Sequence, residues 1–271
     1  MSSSILFFAS ALVTLICAII LWRNALQRQS VQNQTNSIAG LLVTGIALNI
    51  WAIHLLGSLA ADGINFTLAT GTASMTLLVQ IIYCIGILRH GTQGLGLFLL
   101  PVIAVPLFLI PLLPEAHAAN WVRTTSVLQT SHLLISMLAY AILTLAAIHA
   151  LMQIMLDRAL KKKRLSMLVQ ALPALVDIER HMFAQVKLAT ILIGISILTG
   201  LVWQWVEYQH FALLNHKVLL ALFSFGVLVL LQVKHSRASW PTRIASRTVL
   251  TAYGLLVLAY FGVKFIHSLL Y

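Results

Sequence analysis

Runs of 18 to 23 mostly apolar residues, separated by short polar breaks, make up most of the 271-residue chain. They fall at roughly 5–22, 38–60, 66–88, 95–113, 132–153, 186–205, 217–234 and 248–266. Crossing the hydrocarbon core of a bilayer takes about 20 residues per helix. The pattern therefore predicts an all-α polytopic membrane protein with eight transmembrane helices. No break is long enough for a soluble domain, so residues 1–271 are expected to form one membrane domain. The fourth run, LGLFLLPVIAVPLFLIPLL, holds Pro101, Pro106 and Pro111. Proline inside a helix removes a backbone donor and leaves a carbonyl that a neighbour must satisfy.

Two connections carry a pattern of their own. The stretch 157–185 has Leu172, Leu175, Val176, Ile178, Met182 and Phe183 at spacings of a half-buried helix. It is expected to lie at the inner interface and run into the sixth span. The 114–131 connection is a second candidate for a short interfacial helix. The N-terminal MSSSILFFASALVTLICAIILW lacks the basic start of a secretory signal and is expected to be the first span.

Composition agrees: 60% of residues are hydrophobic and 8% are charged, against about 25% charged in soluble domains. The net charge of +11 acquires a meaning once it is placed on the spans. With the N-terminus outside, the inner side takes Arg23, Arg28, Arg89, Arg158, Lys161, Lys162, Lys163, Arg164, Arg180, Lys187, Lys234, Arg237, Arg243 and Arg247. The outer side keeps Arg123, Lys217 and Lys264. That split, 14 against 3 of the 17 basic residues, follows the positive-inside rule and places both termini outside. It also accounts for the charge without a nucleic-acid partner. Cys17 and Cys84 fall in apolar runs, with no CxxC and no zinc-type spacing. No disulfide, thiolate metal site or covalently attached haem is expected.

Ten histidines stand against six acidic residues. His90, His117, His181 and His210 sit in loops or at helix ends and are read as solvated. His54 lies in the outer half of the second span, His132 and His216 open the fifth and seventh, and His267 closes the eighth. These four can reach one depth near the outer face. Trp203, Trp205, Lys217 and Arg123 belong to the same level. An ionisable residue inside the membrane is costly and is a functional candidate. A hydrogen bond between helices is the plain alternative for each histidine, and an interfacial aromatic belt is the plain alternative for the two tryptophans. Neutral imidazole is also a good axial ligand for haem iron. His132 and His149 are 17 residues apart, which leaves them about 100° apart around one helix. That disfavours two stacked haems on one face.

Three stretches carry a resemblance. QTSHLLISMLAYAILTLAAIHA (129–150), LPALVDIERHMFAQVKLATILIGISILTGLVW (172–203) and LAYFGVKFIHSLLY (258–271) resemble helices of the CcsA/CcmC/CcmF cytochrome c-assembly family. The length and the Asn-His-Lys at 215–217 are most similar to its small YpjD/HemX-type branch. The resemblance implies a multi-pass protein of a bacterial inner membrane that handles haem b. By position His132 and His267 match the family's two outer histidines. His235 matches a membrane histidine, and His216 matches the His-Lys of the small branch. The family's Trp-Gly-x-x-Trp-x-Trp-Asp segment is reduced here to VWQWVEYQH. Haem binding thus carries over better than presentation of haem to an apocytochrome.

The leading expectation is a haem-binding protein of cytochrome c biogenesis or haem transport, not an enzyme. His132 and either His216 or His267 are its candidate iron ligands, His54 a contact at membrane depth, and Lys217 and Arg123 candidate partners for the propionates. Its partners would be the bilayer, haem, and another membrane protein or an apocytochrome. A proton-coupled transporter relaying through His54 and an accessory subunit of a partner membrane protein are the alternatives. The first would be coloured and the other two colourless.

Overall fold

The computed structural model describes residues 3–27, 35–56, 59–60, 63–90, 93–113, 121–123, 126–163, 172–209, 216–237 and 241–262. Among the described residues, eight α-helices follow in order: α1 (Ser3–Leu26), α2 (Thr35–Leu55), α3 (Leu68–His90), α4 (Gln93–Leu109), α5 (Val127–Lys161), α6 (Leu175–Tyr208), α7 (His216–Arg237) and α8 (Thr242–Val257). The first seven are long and apolar enough to cross a membrane. A π-helical turn, Leu258–Gly262, extends α8. The protein is an all-α, multi-pass membrane protein.

Helix α5 organises the bundle because its two faces belong to different cores. Ala141, Leu145, Ile148, Met152 and Leu156 pack with α1 to α4. Ala139, Ile142, Leu143, Ala146 and Ala150 pack with α6, α7 and α8. Its contact with α6 is the most extensive between any two helices, and Ala139, Ala146, Ala150 and Ala189 are fully buried there. Small side chains let helix backbones approach closely where lipid supplies no hydrophobic drive. Helices α5 and α6 have 35 and 34 residues, about 50 Å each at 1.5 Å per residue. Both exceed a core about 30 Å thick.

That length revises the helix ends read from the sequence. Ser126 caps α5, its side chain accepting a hydrogen bond from the Gln129 amide at 3.3 Å. The cap starts the helix well before His132. The segment from Leu175 onward is the opening of α6 itself, with Ile178 and Met182 buried in the cores. The 114–131 connection, expected as a helix, forms a strand at Trp121–Arg123. That strand pairs antiparallel with Gly63–Asn65, which pairs with Leu59–Ala60. A bulky aromatic and a β-branched residue, Trp121 and Val122, suit a pleated ladder.

Pro101 of α4 acts as the sequence predicts, and the partner can be named. Pro101 has no N–H for the carbonyl of Leu97, four residues earlier. Trp22 of α1 donates its indole N–H to that oxygen at 2.9 Å. A second polar tie joins α1, α2 and α3. The Asn49 amide donates to Gln80 Oε1 at 3.1 Å, and the Gln80 amide donates to Thr14 Oγ1 at 3.0 Å. Cys17 and Cys84 are buried free thiols.

Candidate functional site

A cavity of about 290 Å³ lies between α5, α6, α7 and α8, toward the end where α5 begins. His132, Trp203 and Lys217 line it, with Phe66, Tyr140 and Tyr260 as an aromatic wall. Small-molecule and cofactor pockets occupy about 300–1,000 Å³ and are mostly apolar with a few placed polar groups. This one has that character. Residues 210–215, which follow Trp203 and precede α7, lie outside the described residues.

The imidazole of His132 is held firmly. Its Nδ1 donates to the backbone carbonyl of Ser196 on α6 at 2.8 Å. Ser196 Oγ and Thr199 Oγ1 stand 3.4 Å from the same nitrogen. A carbonyl can only accept, so this bond places the proton on Nδ1 and leaves the lone pair on Nε2. Histidines that bind metals are oriented in this way by a second hydrogen bond.

Gly200 makes the arrangement possible. A β-carbon there would stand 2.8 Å from His132 Cε1 and 3.1 Å from Nδ1. The helix is bare where the imidazole lies on it. Gly71 plays the same part for the aromatic wall, since a side chain there would overlap the Tyr260 hydroxyl. Tyr260 sits in the π-turn after α8, and its ring packs against Phe66 and Tyr140 with centroids 6.0 and 6.1 Å apart. Tyr140 donates to the Leu256 carbonyl at 2.9 Å, fixing the end of α8 to α5. Single π-turns inside helices are frequent at functional sites.

The residues singled out from the sequence divide into three groups. His132, Trp203 and Lys217 meet at the cavity. His54 and Trp205 do not line it. His54 is exposed in the last turn of α2, its ring 6.5 Å from that of Trp51, and Trp205 is exposed on α6. The third group is only partly visible. His216 begins α7 beside Lys217, and Arg123 lies in the small sheet opposite Gly63, but neither side chain is described. His267 lies outside the described residues. His235, at the far end of α7, stacks on Phe183 with centroids 3.6 Å apart and lines no part of the cavity.

Sequence reasoning did not assign Phe66, Tyr140, Ser196, Gly200 or Tyr260 to the site. The signal was nonetheless present. Tyr140, Thr199-Gly200 and Tyr260 lie in the stretches that carry the family resemblance.

The site gathers an imidazole whose Nε2 is open, three aromatic rings set at 60° and 59° to one another, and a lysine. Residues of these kinds fit an iron-bearing macrocycle with carboxylate arms.

Comparison with known proteins places this architecture. The sequence matches the family described as Cytochrome C assembly protein over residues 2–270. It is 30% identical over 273 residues to an Azospirillum brasilense protein described as "Uncharacterized 28.8 kDa protein in nifR3-like 5'region", covering 100% of this chain and 99% of that one. It is 27% identical over 230 residues to the inner membrane protein YpjD of Escherichia coli strain K12, covering 83% and 85% of the two chains. It is 26% identical over 152 residues to protein HemX of Brevibacillus brevis, covering 55% and 56%. With a family match over nearly its whole length, the chain belongs to the cytochrome c assembly protein family.

Proposed function

We propose that this protein binds haem b in the His132 cavity and serves cytochrome c biogenesis or haem trafficking in a bacterial inner membrane. The observation that carries the reading is the His132 Nδ1 bond to the Ser196 carbonyl at 2.8 Å, on the wall of an aromatic-lined cavity. The description of the Escherichia coli relative supports the location.

Each residue then has a physical task. His132 offers Nε2 to the iron, and Ser196 and Gly200 hold the ring in place. Phe66, Tyr140 and Tyr260 exclude water from the macrocycle, and Trp203 closes the cavity at the end of α6. Lys217 pairs with a propionate, with Arg123 as a second cation at the same end of the bundle. His216 and His267 would be the candidates for a second iron ligand. Bound haem supplies the redox-active iron, while the chain binds, orients and shields it. The role is that of a holder and not of a catalyst.

The test is a reduced-minus-oxidised visible spectrum with a pyridine haemochrome assay on the full chain from haem-replete cells. One b-type haem per chain, lost in His132→Ala, is expected. A colourless protein that also fails to take up added haem would overturn the proposal.

A further inference from the structure

A second cavity of about 290 Å³ lies among α3, α4, α5 and α6, and its polar lining includes His149, His181 and Gln185. His149 is 17 residues beyond His132 on α5, about 25 Å along the axis. The site is therefore separate from the His132 cavity. His149 is 4% exposed, and its Nδ1 donates to the Leu145 carbonyl at 2.9 Å in its own helix. The lone pair again falls to Nε2. The ring of His181 lies 5.9 Å from that of His149, with the planes 33° apart. Gln185 is one turn beyond His181 on α6, so the two share a helix face. Gln185 Oε1 is buried beside the His149 ring and meets no donor within 3.5 Å.

We infer that His149, His181 and Gln185 form a binding site for a single transition-metal ion, and that the ion is copper(I). Two imidazoles on one ion, with metal–nitrogen distances of about 2.0 Å, have ring centres roughly 5–6 Å apart. The observed separation falls in that range. The Gln185 oxygen is at most a weak third donor to so soft an ion and serves mainly as a neutral polar wall beside the two imidazoles. The rings stand 5.9 Å apart and His149 is buried between the two cores, which leaves a small ion as the group the pair can share. The charge of the ion follows from its surroundings. The lining holds no carboxylate, thiol or basic residue among the described residues. A divalent ion there would keep its full charge in a low-dielectric wall, and that cost grows with the square of the charge. Imidazole suits copper, zinc, iron and nickel; of these, copper has a stable monovalent state that accepts two or three neutral donors.

The experiment loads the full chain, in mild detergent, with copper(I) under ascorbate, against bicinchoninate as competitor. One copper per chain is expected, with imidazole-type nitrogen scattering at the copper X-ray absorption edge. His149→Ala and His181→Ala should each lose that copper, Gln185→Ala should bind about tenfold more weakly, and His132→Ala should retain it. His181 is only partly buried, so its variant keeps the test sound if His149→Ala fails to fold. Copper retained in full by folded His181→Ala would overturn the inference. So would zinc(II) displacing copper from these residues, or a haem spectrum lost on His181→Ala. Because His132→Ala reports on the other cavity, this result is independent of the haem reading.

Discussion

Gly200→Ala probes the geometry that makes His132 a ligand. The new β-carbon would meet Cε1 at 2.8 Å and Nδ1 at 3.1 Å. Ordinary carbon contacts begin near 3.5 Å, so the ring must retreat by roughly 0.7 Å. The Ser196 carbonyl lies on the same helix as Gly200, so that movement lengthens the 2.8 Å bond beyond the usual limit of about 3.2 Å. Losing the bond costs about 1 kcal/mol, and crowding a packed interface adds about 1–3 kcal/mol. Alanine in place of glycine within a helix returns about 0.5–1 kcal/mol. The net loss of stability is about 1–3 kcal/mol on these terms. Haem affinity should fall further, about 10–100-fold, as when the support of a metal-bound histidine is removed. The assay is titration of haem into purified apoprotein, followed at the Soret band, beside thermal unfolding by circular dichroism. Gly226→Ala on α7 is the control, since a β-carbon there meets nothing within 4 Å. If Gly200→Ala binds haem within twofold of the parent protein, His132 is not placed by this contact and the reasoning fails.

Three further predictions concern the polar ties that hold the bundle. Trp22→Phe orphans the Leu97 carbonyl that Pro101 leaves unpaired and should cost about 1–3 kcal/mol. In a Pro101→Ala background the same change should cost clearly less, and equal costs in a double-mutant cycle would disprove the link. Gln80→Leu breaks both bonds from Asn49 and to Thr14. It should destabilise by about 1–2 kcal/mol in detergent unfolding, at the upper end for polar contacts within membranes; no change would show that the ladder contributes nothing. Tyr140→Phe removes the hydroxyl from the Leu256 carbonyl. It should cost about 1 kcal/mol and raise amide exchange in the α8 end and π-turn, whereas unchanged exchange there would show that the bond does not hold that turn.

The sequence made the bundle readable because burial in lipid demands long apolar runs; seven of the eight expected spans appear as helices long and apolar enough to cross, and the eighth, expected at 248–266, is described only to residue 262. Helix ends were less readable. They depend on caps such as Ser126 and on packing between α5 and α6, neither of which alters hydropathy. The small sheet was missed because its strands are two or three residues long and their pairing is not local. At the site, His132, Trp203 and Lys217 were legible as polar or aromatic residues at one membrane depth. Depth alone also admitted His54 and Trp205, because it says nothing about which way a helix faces. Ser196 was invisible as a site residue because it acts through its backbone carbonyl, and Gly200 because it acts through an absent side chain. His181 was read as a solvated residue of a connection. The extension of α6 instead carries it beside buried His149.

The central claim is that His132 is held ready to ligate haem. The most direct measurement is the reduced-minus-oxidised spectrum and pyridine haemochrome of the full chain beside His132→Ala, both purified in mild detergent from haem-replete cells. The account predicts a b-type spectrum near one haem per chain, lost in His132→Ala without loss of the folded protein. A parent protein that stays colourless with added haem, or a His132→Ala variant with an unaltered spectrum, would contradict it.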